Sequence, residues 1–162
     1  MNYLIDGHNL IAHMPDITLG EENDEAKLVN RLAGFASRRK VKRCTVIFDN
    51  GLPGGESTLS KHSVRVVFAA SHHTNADSLI KRRLSKLNNA KDWTVVSSDR
   101  DILSTAQRYN VNSLRAGEFV ALMRRQERPQ VDIGEHANPA ISADHVEEMY
   151  ALFMKNDPEN NG

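Results

Sequence analysis

The sequence predicts an α/β fold, a three-layer sandwich whose central, mostly parallel sheet of about five strands is flanked by helices. Three observations carry this. Short apolar runs rich in Val, Ile and aromatics are continuous rather than alternating, as in strands buried on both faces by covering helices. Between them lie segments with helical apolar spacing, and strand–helix alternation is the rhythm of crossovers in a parallel sheet. The 162 residues, 40% of them apolar, suffice for one domain with its own core. We expect that domain over residues 1–155 and a frayed tail at 156–162.

The strand candidates are "YLI" (3–5), "CTVIF" (44–48), "VRVVF" (64–68) and "WTVVS" (93–97), with "YNVNSL" (109–114) as a weaker fifth. Over residues 24–40, Leu28, Leu32 and Phe35 share one helical face, Asn23 is placed to cap, and Asp24 and Glu25 suit the first turn. Over residues 75–88, Ile80, Leu84 and Leu87 repeat the spacing and leave Lys81, Arg82 and Lys86 largely outside. Shorter helices are expected at 99–109 and 117–127. Residues 128–141 read as a connector, and Ser142 as the cap of a last helix with Val146, Met149, Tyr150 and Phe153 as its stripe. The stretch "NGLPGGESTLSKHS" (50–63) joins two strands without helical period; a loop of that length is functional or disordered. Because it leaves the sheet after Asp49, Lys61 and His62 are expected to bring charge to that edge.

Cys44 is the only cysteine, so neither a disulfide framework nor a thiolate zinc cluster is available. No window approaches the roughly 18 apolar residues of a membrane span, and no charged-then-apolar leader opens the chain, so the expected setting is cytoplasmic with no membrane partner. No G-x-G-x-x-G or G-x-x-x-x-G-K-[ST] occurs, so no nucleotide cofactor is expected. The neutral net charge hides an asymmetry: residues 1–128 carry 20 Lys and Arg against 14 Asp and Glu, whereas residues 129–162 carry one base and seven acids. The basic residues are dense in "RRKVKR" (38–43) and "KRRLSK" (81–86). Such runs are either solvated helix faces or polyanion contacts, with Arg38, Arg39, Lys40, Lys61, Lys81, Arg82 and Lys86 as the candidate phosphate ligands.

The chemistry gathers at strand ends. Asp6 follows "YLI", Asp49 follows "CTVIF", Asp99 follows "WTVVSS", and Asp77 opens the helix after "VRVVF". In a parallel sheet all these ends lie on one edge, where open α/β folds bind ligands. Carboxylates brought together there repel and raise one another's pKa values, and a divalent cation relieves this. Mg²⁺ and Mn²⁺ prefer oxygen ligands, bind through few carboxylates plus substrate phosphate, activate water and neutralise charge on a phosphate in transit. Asn9 is placed to orient a carboxylate or a water. Each acid also has a plainer reading. Asp6-Gly7 and Asp49-Asn50-Gly51 are turn formers, and Thr74-x-x-Asp77 and Ser98-x-x-Asp101 match capping boxes. For the last we prefer the cap, with Asp99 one residue beyond it and free to face the rim. His72 and His73 read as solvent- or RNA-facing. An aspartyl-nucleophile phosphatase would need a second Asp where His8 stands, and a receiver domain a lysine after "WTVVSS".

Together "YLIDGHNLI", "VIFDNG", "TNADSLIKRRL" and "VVSSDRDIL" resemble the NYN family of PIN-like ribonucleases, its bacterial YacP-like branch above all, over residues 3 to about 125. "ISADHVEEMYALF" looks like that branch's closing helix. The resemblance implies a PIN-like sandwich and a Mg²⁺- or Mn²⁺-dependent endoribonuclease with one or two ions. It assigns Asp6, Asp77 and Asp99 as the principal metal-site acids and Asn9 as their polar companion. Asp49 matches the acid after the second strand, and Asp101 the second acid of a serine-aspartate-x-aspartate signature, ligand or cap. The implied partners are RNA and the ribosome. The sequence departs from the branch at His8, where a tyrosine is usual, and in the glycine-rich loop after Asp49. The competing expectation is a catalytically silent RNA- or ribosome-binding module of the same fold.

Overall fold

Each apolar run forms a strand: β1 (Asn2–Asp6), β2 (Arg43–Phe48), β3 (Val64–Phe68), β4 (Trp93–Val96) and β5 (Asn112–Leu114). Every pairing is parallel, and the order is β3-β2-β1-β4-β5. The structure, a computed structural model, describes residues 1–50, 60–61 and 63–127. The helix expected after Ser142 and the domain limit at 155 lie outside the described residues.

The continuous apolar runs are explained by two cores, one on each face of the sheet. Tyr3 and Ile5 of β1, Cys44, Val46 and Phe48 of β2, and Val64, Val66 and Phe68 of β3 point to one side. There they meet α1 (Gly7–Ile11), α2 (Asp24–Arg39) and α5 (Ala116–Glu127). Leu4, Ile47, Val67 and Val95 point to the other, against α3 (Ala76–Leu84) and α4 (Arg100–Arg108). The first core is centred on three rings: Tyr3, Phe35 and Phe119 stand 5.0–5.6 Å apart by centroid, tilted or edge-on.

Helix boundaries differ from expectation in two instructive places. Asn23 takes a left-handed conformation and makes no side-chain cap bond to α2; instead the Asp24 carboxylate accepts from the backbone N–H of Gly20 and Glu25. The five-residue α1 is not expected from the sequence at all, being too short to show a period.

Residues 49–63 link two parallel neighbours, so the chain must return from one end of the sheet to the other. A parallel connection needs a dozen or more residues, and that requirement accounts for the length of this segment. Lys61 pairs with Val64 just before β3, at the edge where strands begin. It is therefore not at the edge carrying Asp49, contrary to the expectation; residues 51–59 and His62 are outside the described residues.

Candidate active site

The sheet grows outward from β1 in both directions, so its order reverses between β1 and β4. In open α/β sheets the crevice at the carboxyl ends beside such a reversal is where ligands bind. Asp6 ends β1 there. Its Oδ2 accepts a hydrogen bond from Ser97 Oγ at 3.0 Å, and the same hydroxyl accepts from the Asp99 backbone N–H at 3.1 Å. One buried serine thus ties the end of β1 to the loop after β4. Asn9 makes a second tie, its Oδ1 accepting from the Ser98 N–H at 2.9 Å. Its side-chain oxygen holds that loop in place, while its backbone N–H bonds the Asp6 carboxyl.

Burial raises the Asp6 carboxyl above its ordinary value. The Ser97 hydroxyl and the Asn9 backbone N–H offset part of this, and the Asp49 and Asp99 carboxylates push it further up. Asp6, Asp49 and Asp99 thus lie close enough together for the charges of the last two to act on the first.

Asp49 Oδ1 accepts from the N–H of Ala76 at 2.8 Å, which joins the end of β2 to the first turn of α3. The N-cap of α3 is Asn75, accepting from Ser78 N–H at 2.8 Å, so Thr74 and Asp77 are not a capping box. Asp77 is released from that duty. Its Oδ2 lies 2.9 Å from Lys81 Nζ, while its Oδ1 is buried without a hydrogen-bond partner. A second correction concerns α4. Its cap is Asp99 itself, whose Oδ1 accepts from Asp101 and Ile102 N–H, whereas the Ser98 hydroxyl accepts from Ala116 N–H. Both cap bonds use one oxygen, so Oδ2 of Asp99 takes no part in them. Asp101 is 81% exposed and faces Lys81 at 3.7 Å.

Several members are not foreseen by the sequence. Besides Ser97, His8 stands between Glu25 and Asp49, with Nε2 3.0 Å from Glu25 Oε1 and Nδ1 3.7 Å from Asp49 Oδ2. Its ring rests on Phe48 at 5.0 Å between centroids. Gly7 makes that approach possible, because a Cβ there would fall 2.3 Å from Phe48 Cε1. Lys81 is the third. Its place in a basic run suggests an outward phosphate ligand, but it is the rim's own cation: the bond to Asp77 raises its ammonium above the ordinary value, with the charges of Asp77, Asp101 and Asp99 adding to the effect.

The remaining candidate phosphate ligands divide. Arg38 and Arg39 end α2 and Lys40 is its C-cap, next to the start of β2. They lie at the opposite edge of the sheet from the acids. Arg82 and Lys86 lie along and just past α3, away from the carboxylates.

The donor set suits a hard divalent cation: oxygen ligands, one of them a buried carboxylate oxygen with no partner. Among the described residues no three His, Cys, Asp or Glu side chains are gathered tightly enough to hold an ion by themselves. Mg²⁺ does not require such a cage, since it usually binds through one or two carboxylates with waters and substrate phosphate completing the shell.

Among the described residues no helix is long and apolar enough to cross a membrane. A search of curated proteins gives no match. Among solved structures, Rae1 (YacP) from Bacillus subtilis is similar with a TM-score of 0.64 at 21% identity, covering 98% of this chain and 97% of that one. Its W164L mutant is similar with a TM-score of 0.63 at 25% identity, covering 78% and 77%. The family model of the YacP-like NYN domain matches residues 3–150. The chain belongs to the YacP-like NYN domain family, a nuclease-type family.

Proposed function

We propose that the chain is a metal-dependent endoribonuclease that hydrolyses phosphodiester bonds of RNA, including mRNA on the ribosome. One observation carries the reading. In the first turn of α3, tied through Ala76 to Asp49 at the end of β2, Asp77 presents a buried carboxylate oxygen without a partner, on the strand-end side of the sheet that also bears Asp6 and Asp99. Asp6, Asp77 and Asp99 are the residues that would hold Mg²⁺ or Mn²⁺, with Asp49 and Asp101 at the margins. When bound, such an ion activates water and neutralises charge on the phosphate. The protein's own part is positional. Ser97 and Asn9 fix the loop carrying Asp99 against β1, Asp49 fixes the helix carrying Asp77, and Lys81 balances the acids until substrate arrives. Water attacks the phosphate in line, leaving a 5′-phosphate and a 3′-hydroxyl, with no side-chain nucleophile.

The Lys81 ammonium supports a second reading. It already neutralises Asp77 and Asp101, as suits an RNA- or ribosome-binding module of the same fold with no catalysis. A divalent-ion titration separates the two. RNA cutting that appears with Mn²⁺ or Mg²⁺ and falls about 10²-fold in Asp77→Asn, the scale of losing one preorganised electrostatic group, supports the enzyme. Tight RNA binding with no cutting at any ion level assigns the chain to the silent module.

A further inference from the structure

On the α3 face, away from the carboxylate rim, the second half of α3 and the starts of β2 and β4 enclose a cleft of ≈ 380 Å³. That is within the range of small-ligand sites, about 300–1,000 Å³. Arg43, Arg82, Arg83 and Lys86 line it, and among the described residues no acid does. Among the described residues, Arg43, Arg82 and Lys86 form no ion pair, whereas Lys81, on the same helix, is paired twice. Beside these cations lies the half-buried ring of Trp93, with apolar contacts from Leu79 and Leu87. The strand register holds the arrangement in place: Arg43 and Trp93 are both level with Asn2, on either side of β1.

Unneutralised cations next to a partly accessible aromatic ring are the elements of single-strand recognition, in which the groove tracks phosphates and the ring stacks a base. We propose that this cleft is an RNA-binding subsite, taking phosphates on Arg43, Arg82 and Lys86 and a base against Trp93. An acidic peptide would satisfy the cations but would leave the ring without a flat partner. The cleft also lies within reach of the rim. Arg82 stands five residues beyond Asp77, about 7.5 Å along the helix, and Lys86, just past the helix end, at most about 13.5 Å if the same rise is continued. A stacked strand advancing about 3.4 Å per nucleotide covers these distances in two to four nucleotides. The inference rests on the reading of the chain as acting on RNA, and it adds where the strand goes once it leaves the acids.

Trp93 is the chain's only tryptophan, so its emission reports on this cleft alone. In the presence of a chelator, a short oligouridine should quench Trp93 emission saturably. Arg82 and Lys86 are both exposed, so the double variant Arg82→Glu, Lys86→Glu should fold normally and bind roughly tenfold more weakly or worse. Asp77→Asn should keep the quench, whatever it does to cutting. Oligouridine binding that leaves the emission unchanged overturns the proposal, as does a double variant that binds like wild type. Poly-glutamate quenching as strongly as RNA would give the cleft to an acidic protein and also overturn it. If wild type cuts RNA without a quench, the cleft is refuted and the nuclease reading stands; if it quenches but never cuts, the nuclease reading falls and the cleft stands.

Discussion

Gly7 and Phe48 approach each other so closely that no other residue fits at position 7. The missing Cβ would fall 2.3 Å from a ring carbon, and that ring carries His8 on one side and Phe68 on the other. Gly7→Ala is expected to cost about 1–3 kcal/mol by overpacking and to lower cutting as well, because displacing Phe48 moves His8. Urea unfolding and an RNA cleavage assay would check both parts. Asp6 gives a pH prediction. Its folded pKa lies above the unfolded value of about 3.9, so the native state binds more protons between the two and stability falls as pH rises through that window. Above the window the cost is present in full. In chelator, Asp6→Asn should therefore melt higher than wild type at pH near 7.5, with the difference vanishing as pH falls toward the unfolded value. A constant difference across that range would refute the account. Asp6, Asp49 and Asp99 are legible in the sequence because strand ends are marked by where apolar runs stop, and Asp77 because it stands at the start of a helical pattern. Their partners are less so. Nothing local connects His8 to Glu25 or Ser97 to Asp6, since those pairs span 17 and 91 residues. The pair Asp77–Lys81 does carry a signal, its i,i+4 spacing, which the surrounding basic run conceals.

The N-terminus of α4 shows how structural and chemical roles share one side chain. Asp99 caps the helix with Oδ1 and contributes a negative charge to the rim. Asn caps about as well as Asp, while loss of a capping side chain to Ala costs about 0.5–2 kcal/mol. Asp99→Asn should thus keep the wild-type unfolding free energy and lose cutting, whereas Asp99→Ala should lose both. If Asn destabilises as much as Ala, the charge rather than the cap supports the helix. The cap lies one residue beyond the position the pattern favours because "SSD" offers consecutive cap formers, and pattern does not fix the register among them. Strands β1 to β4 match the apolar runs to within a residue or two, since burial on both faces forces those runs to be unbroken. By contrast, α1 leaves no mark in the sequence: five residues give too little period to distinguish a helical turn from a loop.

At the level of the whole molecule, parallel alternation is readable from the sequence but strand order is not, because adjacency in a sheet is a long-range choice. The order decides where the charges fall. Arg38, Arg39 and Lys40 sit where strands begin and the acids where they end, about 16 Å apart along a five-residue strand. Replacing all three with Ala should leave cutting of a short RNA close to wild type. It should lower affinity and salt dependence only for RNAs long enough to span the sheet, by up to nearly one unit of salt slope for each phosphate no longer neutralised. A large loss on the short RNA would place these residues at the reaction. The central position of β1 also has a consequence in time. Asn2 pairs with Arg43 on one side and Trp93 on the other, so β1 leaves the ribosome long before both neighbours exist. At typical synthesis rates the interval for some 90 residues is roughly 5–20 s. Throughout it, one edge of the strand stays bare and the crevice has a single wall. A nascent chain halted before β4 holds Asp6 and Asp77 but neither Ser97 nor Asp99, so the proposed cutting site exists only after translation has passed Asp99.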